Sequence, residues 1–153
     1  MQKTLVIFKP SAIQRELLGE VLSRFERKGL RIGGLKMMQL TDEILSEHYG
    51  HLSERPFFQR VKAAMMVSPV VVCCLEGLDA VQIVRNMAGS TNGRNAALGT
   101  IRGDYGMSVQ ENIVHTSDSI ETAHVELARF FKPEEIFEYS QNSFPNLYAN
   151  DEV

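Results

Sequence analysis

One histidine stands where an apolar run gives way to the start of a helix. The segment Asn112–Ser119 passes through two apolar residues to His115, and either Asp118 or Ser119 can cap the helix that follows. The free backbone N–H groups and the positive dipole end of such a helix start stabilise phosphate-like charge. Imidazole is substantially neutral near pH 7 and is a good nucleophile. The segment therefore indicates phosphoryl chemistry.

The helix after His115 is predicted from local signals. Glu121 stands three residues after Asp118, which is the spacing of a capping box. Apolar residues then recur at helical spacing, at Ile120, Ala123, Leu127 and Phe131. This stripe predicts the face of the helix that packs against the core.

Arginines accompany a long glycine-rich segment. Residues Gly89–Gly106 number eighteen, include five glycines and have no regular pattern, and a loop of this length is usually functional. Arg94 and Arg102 lie in this loop, and Arg85 lies on the predicted helix before it. A guanidinium group can donate two hydrogen bonds to two oxygens of one phosphate, and glycine lets the backbone come close to a ligand. A single arginine is more often a solvated surface charge, so the spacing leaves open whether these residues converge on His115.

The composition is that of a globular protein with a moderate negative charge. The 153 residues are 44% hydrophobic, carry a net charge of −3 and have a pI near 5.8. This length suits one domain with its own core. Proteins that bind the nucleic-acid backbone usually carry a basic surface, so nucleic acid is not an expected partner. No apolar stretch approaches the roughly 20 residues that span a bilayer, and no signal-peptide pattern is seen, so a cytoplasmic chain without a membrane partner is predicted.

The two cysteines do not predict a disulfide or a metal site. Cys73 and Cys74 are adjacent in an apolar run, where successive side chains of a strand point to opposite faces. They cannot bridge each other, and a second cysteine pair with metal-ligand spacing is missing. Both are expected to be small core residues in a reducing compartment.

Apolar runs predict four strands, at Thr4–Phe8, Leu30–Leu40, Pro69–Leu75 and Ile113–His115. Amphipathic helices are predicted around them, in the order β-α-β-α-α-β-α-β-α, and Gly29 ends the first helix. The first and third strands are the most apolar. The predicted fold class is α+β, a ferredoxin-like α/β sandwich. Its four-stranded antiparallel sheet, with a βαββαβ core, would have one face covered by helices.

Segments along the whole chain resemble the nucleoside diphosphate kinase family. They are Thr4-Leu5-Val6-Ile7-Phe8-Lys9-Pro10, Gly19-Glu20, Arg24-Phe25-Glu26, His48-Tyr49, Arg55-Pro56-Phe57-Phe58, Ser68-Pro69-Val70-Val71, Gly99-Thr100-Ile101-Arg102-Gly103-Asp104 and Asn112-Ile113-Val114-His115. The resemblance implies a single nucleoside diphosphate kinase domain over residues 1–153, with a short C-terminal extension from about residue 145. The polar tail Ala149–Val153 is expected to fray or to pack on a partner.

The resemblance also implies the reaction. A nucleoside triphosphate would give its γ-phosphate to a nucleoside diphosphate by a ping-pong mechanism with a phosphohistidine intermediate. His115 matches the family's nucleophile, and Mg²⁺ would bind mainly through the nucleotide phosphates. The chain would thus be a nucleotide-binding phosphotransferase that is itself phosphorylated, with nucleoside di- and triphosphates as its partners.

Further site residues follow from the same resemblance. The residues that match the family's phosphate and sugar contacts are Lys9, Arg85, Thr91, Arg102 and Asn112. Tyr49 matches a residue of the site wall near Lys9, and Phe57 and Val109 match an apolar pair that sandwiches the base. Contacts of this kind read little of a base's polar edge, so broad base specificity is expected. Ser117 and Glu126 match the residues that orient the histidine, although from its helix position alone Glu126 could equally be solvated.

Three positions depart from the family pattern. Thr116 replaces the usual glycine after the histidine, which would reduce activity if that position needs positive φ but would only add bulk if φ is negative. Gly93 replaces a proline and is expected to loosen the loop. Ser11 replaces an acidic residue near Lys9.

The family forms symmetric oligomers, hexamers or tetramers built from a common dimer, so a homo-oligomer is expected. Two other readings stay open. One is a nucleic-acid-binding module on the same sandwich, although the strands carry Val, Ile and Met rather than the stacking aromatics of such modules. The other is a catalytically weakened relative that serves as a structural or regulatory oligomer.

Overall fold

Four strands form one antiparallel sheet in the computed structural model, which describes residues 1–153. The strands are β1 (Gln2–Phe8), β2 (Arg31–Met38), β3 (Val70–Gly77) and β4 (Val114–Thr116). Their spatial order is β2-β3-β1-β4, and every neighbouring pair is antiparallel. The predicted ferredoxin-like sheet is therefore confirmed, with the two most apolar strands at its centre.

Seven helices surround the sheet. They are α1 (Pro10–Gln14), α2 (Leu18–Lys28), α3 (Asp42–His48), α4 (Phe58–Met66), α5 (Ala80–Ala88), α6 (Ile101–Tyr105) and α7 (Ile120–Phe130). Short 3₁₀ turns occur at Gly50–Leu52, Gly93–Asn95, Pro133–Glu135 and Phe144–Asn146. The sequence prediction lacks α1 and α6, because helices of five residues are too short to display an apolar period.

Helices cover both faces of the sheet, so the prediction of one covered face is wrong. Val6 and Phe8 of β1 enter a core shared with α1, α2 and α5, whereas Leu5 and Ile7 enter a second core shared with α3, α4 and α7. The physical reason is visible in β3, which is buried along its whole length. A strand that is apolar on both sides requires a partner layer on each. Cys73 and Cys74 are free thiols that lie in opposite cores, as predicted.

Of the two caps that the sequence offers for α7, the structure has Ser119. Ser119 is the N-cap, and its hydroxyl accepts a hydrogen bond from the backbone N–H of Thr122, so the capping box based on Asp118 is wrong. The helix ends at Phe130. Its first residue, Ile120, is 42% exposed, whereas Glu126 lies on the buried face. The buried face of α7 is therefore rotated relative to the predicted apolar stripe, and it places the Glu126 carboxylate inside the protein.

The C-terminal segment packs against the fold as far as Tyr148. The Leu147 side chain lies against Gly29, whose φ of +99° ends α2. The Tyr148 hydroxyl accepts a hydrogen bond from the backbone N–H of Leu78, 3.3 Å away. Residues 149–153 are exposed. None of the helices has the length and apolar character needed to cross a bilayer.

Candidate active site

A cavity of about 1110 Å³ opens beside β4. It is lined from α3, α4, α5, α6 and α7, from β4, from the residue that follows β1 and from the loop before β4. Ten of the residues singled out in the sequence line it: Lys9, Tyr49, Phe57, Arg85, Thr91, Arg102, Val109, Asn112, His115 and Glu126. Ser117 is fully buried behind them. The fold thus brings together residues that lie far apart in the chain.

His115 lies in the middle of β4, opposite Ile7 of β1. Its Nε2 is 2.7 Å from Oε2 of Glu126, and the Ser117 hydroxyl donates to the same oxygen over 3.1 Å. The backbone N–H of Leu5 in turn donates to the Ser117 oxygen. A carboxylate can only accept, so the proton of the neutral imidazole lies on Nε2 and the lone pair on Nδ1.

Lys9 and Asn112 form the polar floor of the cavity. The Lys9 ammonium donates to the Asn112 side-chain oxygen over 2.6 Å and to the Gln110 carbonyl over 3.1 Å. The Asn112 amide nitrogen donates to the carbonyls of Thr91 and Val109, each 2.9 Å away. Burial, reinforced by repulsion from the nearby Arg102, lowers the pKa of Lys9 to about 8.

Arg102 is a buried cation whose guanidinium joins three backbone segments. It donates to the carbonyls of Gly89, Asn112 and Val114 over 2.8–3.2 Å. Burial is the main reason that the pKa of Arg102 is lowered, and repulsion from Arg85 adds to it. One buried side chain therefore holds together the start of the glycine-rich loop, the residue Asn112 before β4, and β4 itself, which carries His115.

The other two arginines behave differently. Arg85 is more exposed, lines the cavity and forms an ion pair with Asp118. Arg94 does not line the cavity, because its guanidinium donates to the Met107 carbonyl within the loop, 3.0 Å away. Arg85, rather than Arg94, thus accompanies Arg102 at the cavity.

Aromatic and apolar side chains complete the wall. Tyr49 is 8% exposed, and burial, with a smaller contribution from Glu126, raises the pKa of its phenol, which stays protonated. Phe57 and Val109 are 37% and 53% exposed at the cavity, and Thr91 is exposed as well. These apolar surfaces are available to a flat ligand.

Two cavity residues, His48 and Arg129, received no role from the sequence. His48 is buried, and an Arg129 guanidinium nitrogen lies 3.1 Å from its Nδ1. The only sequence signal was the His48-Tyr49 pair within the family resemblance. His48 is buried because α3, β4 and α7 pack together around it. A local sequence pattern does not predict such a tertiary contact.

One group of side chains has donor atoms suited to a metal ion. Nitrogens of His48 and His115 and a carboxylate oxygen of Glu126 lie within 4.8 Å of one another. The His115 and Glu126 atoms already bind each other, and Nδ1 of His48 binds Arg129. A metal ion held by all three residues would have to displace at least the hydrogen bond between His115 and Glu126. It would also lie close to the positively charged guanidinium of Arg129.

Thr116 occupies an ordinary strand position. It pairs with Val6 in β4, is 7% exposed and is not among the residues with positive φ, which are Glu16, Asp79 and Ile113 apart from glycines. The backbone at this position therefore does not require glycine. Threonine adds bulk and a hydroxyl without strain.

Replacement of Thr116 with glycine should destabilise the protein and leave turnover almost unchanged. The loss of a buried β-branched side chain from a strand is expected to cost about 1–2 kcal/mol in the free energy of unfolding. Chemical denaturation and steady-state kinetics measure the two effects. Thr4→Gly, in the centre of β1, is the matched control and should behave similarly. A tenfold rise in turnover for Thr116→Gly would contradict this account.

The loop before β4 is more ordered than predicted. It contains a 3₁₀ turn at Gly93–Asn95 and helix α6, which Thr100 caps by accepting from the Gly103 N–H. The Gly93 N–H donates to the Ser108 carbonyl, a bond that proline could not make. A Cβ at this position would lie 2.4 Å from the Gly106 backbone. Gly93 thus permits a close backbone contact inside the loop.

Near Lys9, the Ser11 hydroxyl is buried without a hydrogen-bond partner.

The geometry combines an oriented imidazole, several cations and an apolar slot in one cavity. Cations and hydrogen-bond donors neutralise phosphate charge, and apolar side chains stack on flat rings. The cavity is therefore chemically suited to a phosphorylated ligand beside a histidine whose Nδ1 is free.

Comparison with known proteins points to the same chemistry. A family model described as "Nucleoside diphosphate kinase" matches residues 2–136. A nucleoside diphosphate kinase from Parabacteroides distasonis is 68% identical over 152 residues, with 99% of each chain covered. One from Rhodopirellula baltica is 47% identical over 152 residues, with 99% of this chain and 100% of the relative covered. A halophilic nucleoside diphosphate kinase from Halobacterium salinarum, solved in complex with CDP, superimposes with a TM-score of 0.95 at 35% identity, covering 97% of this chain and 99% of that one.

The chain belongs to the nucleoside diphosphate kinase family. It is a phosphotransferase that moves the γ-phosphate of a nucleoside triphosphate to a nucleoside diphosphate. These findings favour the enzyme over the nucleic-acid-binding module and the non-catalytic scaffold that the sequence left open.

Proposed function

We propose that Nδ1 of His115 carries the phosphoryl group between the two nucleotides. The observation that supports this most directly is the 2.7 Å contact of Nε2 with Glu126, which leaves the lone pair on Nδ1. In the first half-reaction this lone pair forms the N–P bond while the bond from the γ-phosphorus to the β–γ bridging oxygen breaks. The nucleoside diphosphate leaves with that electron pair. In the second half-reaction a terminal oxygen of another diphosphate attacks the same phosphorus, and the N–P bond breaks.

Glu126 and Ser117 orient and charge-balance the ring in this proposal. The buried Glu126 carboxylate accepts from both groups, so it can hold the ring nitrogen that keeps its proton. Positive charge that develops on the ring during phosphorylation lies next to this anion. The tie from Ser117 to the backbone of β1 makes the carboxylate position rigid.

The cations neutralise the phosphates. Phosphoryl transfer needs positioning and charge stabilisation more than covalent machinery. Lys9, Arg85 and Arg102 supply positive charge, and Asn112 and Thr91 supply hydrogen-bonding groups for phosphate or sugar. Phe57 and Val109 would sandwich the base, which explains broad base specificity. Tyr49, kept protonated by burial, forms the wall near Lys9.

Mg²⁺ is the proposed cofactor, held mainly by the nucleotide. Three of the four carboxylates that line the cavity are already paired, Glu126 with His115, Asp118 with Arg85 and Glu47 with Arg129, which supports this. Mg²⁺ commonly keeps water ligands and binds through substrate phosphates rather than in a full protein cage. When bound, it would neutralise part of the negative charge of the β- and γ-phosphates.

We also propose a homo-oligomer, a hexamer or a tetramer of dimers, in which residues 1–153 of each chain form one kinase domain with a short extension from about residue 145. Exposed apolar side chains on edge strand β2, Leu35 and Met37, support an interface there.

The two free cysteines favour a reducing compartment, and the cytoplasm is the proposed location.

Labelling with γ-labelled ATP tests the function directly. With Mg²⁺ present, the purified protein should acquire acid-labile, base-stable label, and either GDP or CDP should discharge it as the corresponding triphosphate. Discharge by both diphosphates would support broad base specificity. A protein that binds nucleotide and turns over without ever carrying label would contradict the phosphohistidine mechanism.

A further inference from the structure

His48 is a buried aromatic group of the cavity that the proposed reaction does not use. It is the last residue of α3, is 5% exposed and packs edge-on against the His115 ring, with centroids 4.6 Å apart and planes at 78°. Tyr49 and Phe130 enclose it, at centroid distances of 4.7 and 5.1 Å. We propose that His48 is a positioning residue that holds the His115 ring in the orientation in which Nδ1 is available for phosphoryl transfer. This inference rests on the proposed role of His115.

One hydrogen bond does not by itself fix an imidazole ring. The bond to Glu126 directs Nε2 of His115, but the torsion that turns a histidine ring has broad minima. A half-turn would exchange the positions of Nδ1 and Cδ2 and would remove Nε2 from Glu126. The edge-on ring of His48 occupies space beside the His115 ring, so it resists this rotation. Hydrogen bond and ring contact together define the orientation.

His48 is itself held from behind. Arg129 can only donate, so Nδ1 of His48, 3.1 Å from its guanidinium, is the acceptor and the ring proton lies on Nε2. Arg129 also forms an ion pair with Glu47, with Nε and Oε1 3.1 Å apart. Nε2 of His48 is buried and has no hydrogen-bond partner. A buried donor without a partner is unfavourable, so hydrogen bonding at Nε2 does not account for the burial of this ring.

The charge state of His48 suits this role. Burial, followed by the proximity of His115 and Arg129, and then of His51 and Lys9, lowers the pKa of His48 to about 2. The anions on the facing elements are Glu126 and Glu47. A neutral His48 adds no positive charge beside a ring that becomes more positive during transfer.

Replacement of His48 with alanine tests the role. We expect kcat to fall about 10- to 100-fold, since small misplacements of reacting groups have effects of this size, with KM for the diphosphate within about threefold of the parent value. The ³¹P NMR spectrum of the phosphoenzyme should change from a single phosphohistidine isomer to a mixture of Nδ1 and Nε2 forms. His48→Phe retains a flat ring and should restore the single isomer and most of the rate. His124→Ala, on the exposed face of α7, is the matched control.

Each outcome decides between the alternatives. A folded His48→Ala protein that is phosphorylated only on Nδ1 with the parent kcat would overturn the positioning role. If the alanine variant does not fold, His48→Leu fills the space without a flat ring and carries the same expectation. A parent protein that forms no phosphohistidine at all would instead contradict the proposed function, and the role of His48 would fail with it.

Discussion

Replacement of His115 with alanine should abolish the phosphoenzyme and lower kcat/KM by roughly 10⁴-fold or more, the scale seen when a covalent nucleophile is removed. Without Nδ1 there is no acceptor for the γ-phosphate in the first half-reaction. The cations and the apolar slot remain, so nucleotide binding should persist. Acid-labile labelling from γ-labelled ATP, steady-state rates and calorimetric binding of a diphosphate measure the three effects separately.

The control for this variant is His124→Ala, which removes an exposed imidazole from α7 and should label like the parent. Loss of the His115 side chain also removes one hydrogen bond from the buried Glu126. We therefore expect the free energy of unfolding to fall by about 1–3 kcal/mol. Label that persists on His115→Ala would show that another side chain is the phosphoryl carrier.

Replacement of Lys9 with methionine should inactivate the enzyme and stabilise the unliganded protein at the same time. We expect kcat/KM to fall by about 10²- to 10³-fold, since a preorganised charge at the transferring phosphate is removed. The native protein holds this ammonium in a desolvated position beside Arg102. Methionine avoids that penalty, which corresponds to roughly 3 kcal/mol for this pKa difference, but it also removes the hydrogen bonds to Asn112 and Gln110, so the free energy of unfolding at pH 7 should rise by about 2 kcal/mol or less.

The sign of the stability effect follows from proton binding. Lys9 has a pKa of about 8 in the folded chain, below its ordinary value of 10.5, so above pH 8 the unfolded state binds more protons than the native state. Stability from this group therefore rises as the pH increases from 8 to 10.5, and the advantage of Lys9→Met should disappear over that range. In the parent, kcat/KM should decline above pH 8 as the ammonium loses its proton.

Urea denaturation at several pH values and a pH profile of kcat/KM test both halves of this prediction. Lys28→Met, at the exposed end of α2, is the control and should change neither quantity appreciably. A Lys9→Met protein with the parent rate, or one that is much less stable at pH 7, would contradict the assignment of a desolvated phosphate-binding charge.

The strands were predictable from the sequence because their apolar runs are short and bounded by turn residues. The covering of both sheet faces was implicit in the same runs, since residues 5–8 of β1 and 70–75 of β3 contain no polar position to face solvent. The prediction of a single covered face was wrong because it counted the apolar residues of each strand together. It did not assign alternate residues to opposite faces of the sheet. Helix α6 was missed because its stabilising cap, Thr100, acts on five residues only.

The phase of α7 shows why a site residue can be missed by periodicity. Ile120, which the predicted stripe included, is 42% exposed, whereas Glu126 lies inside with Ala123 and Phe130. A buried carboxylate is costly without partners, so a hydrophobicity pattern alone leaves its placement open. Only the tertiary contact with His115 and Ser117 makes the position favourable. The family resemblance, rather than the helix pattern, identified it in advance.

The three carbonyls that Arg102 binds belong to Gly89 at the beginning of the glycine-rich loop, to Asn112 just before β4, and to Val114 in β4. Loop and histidine strand therefore form one cooperative unit, which cannot open locally at either end without exposing a buried guanidinium's partners. Thermal fluctuations that would unfasten the loop must disturb the strand as well. In the proposed mechanism the same cation also lends charge to the phosphates, so a substitution at position 102 should weaken folding and nucleotide binding together.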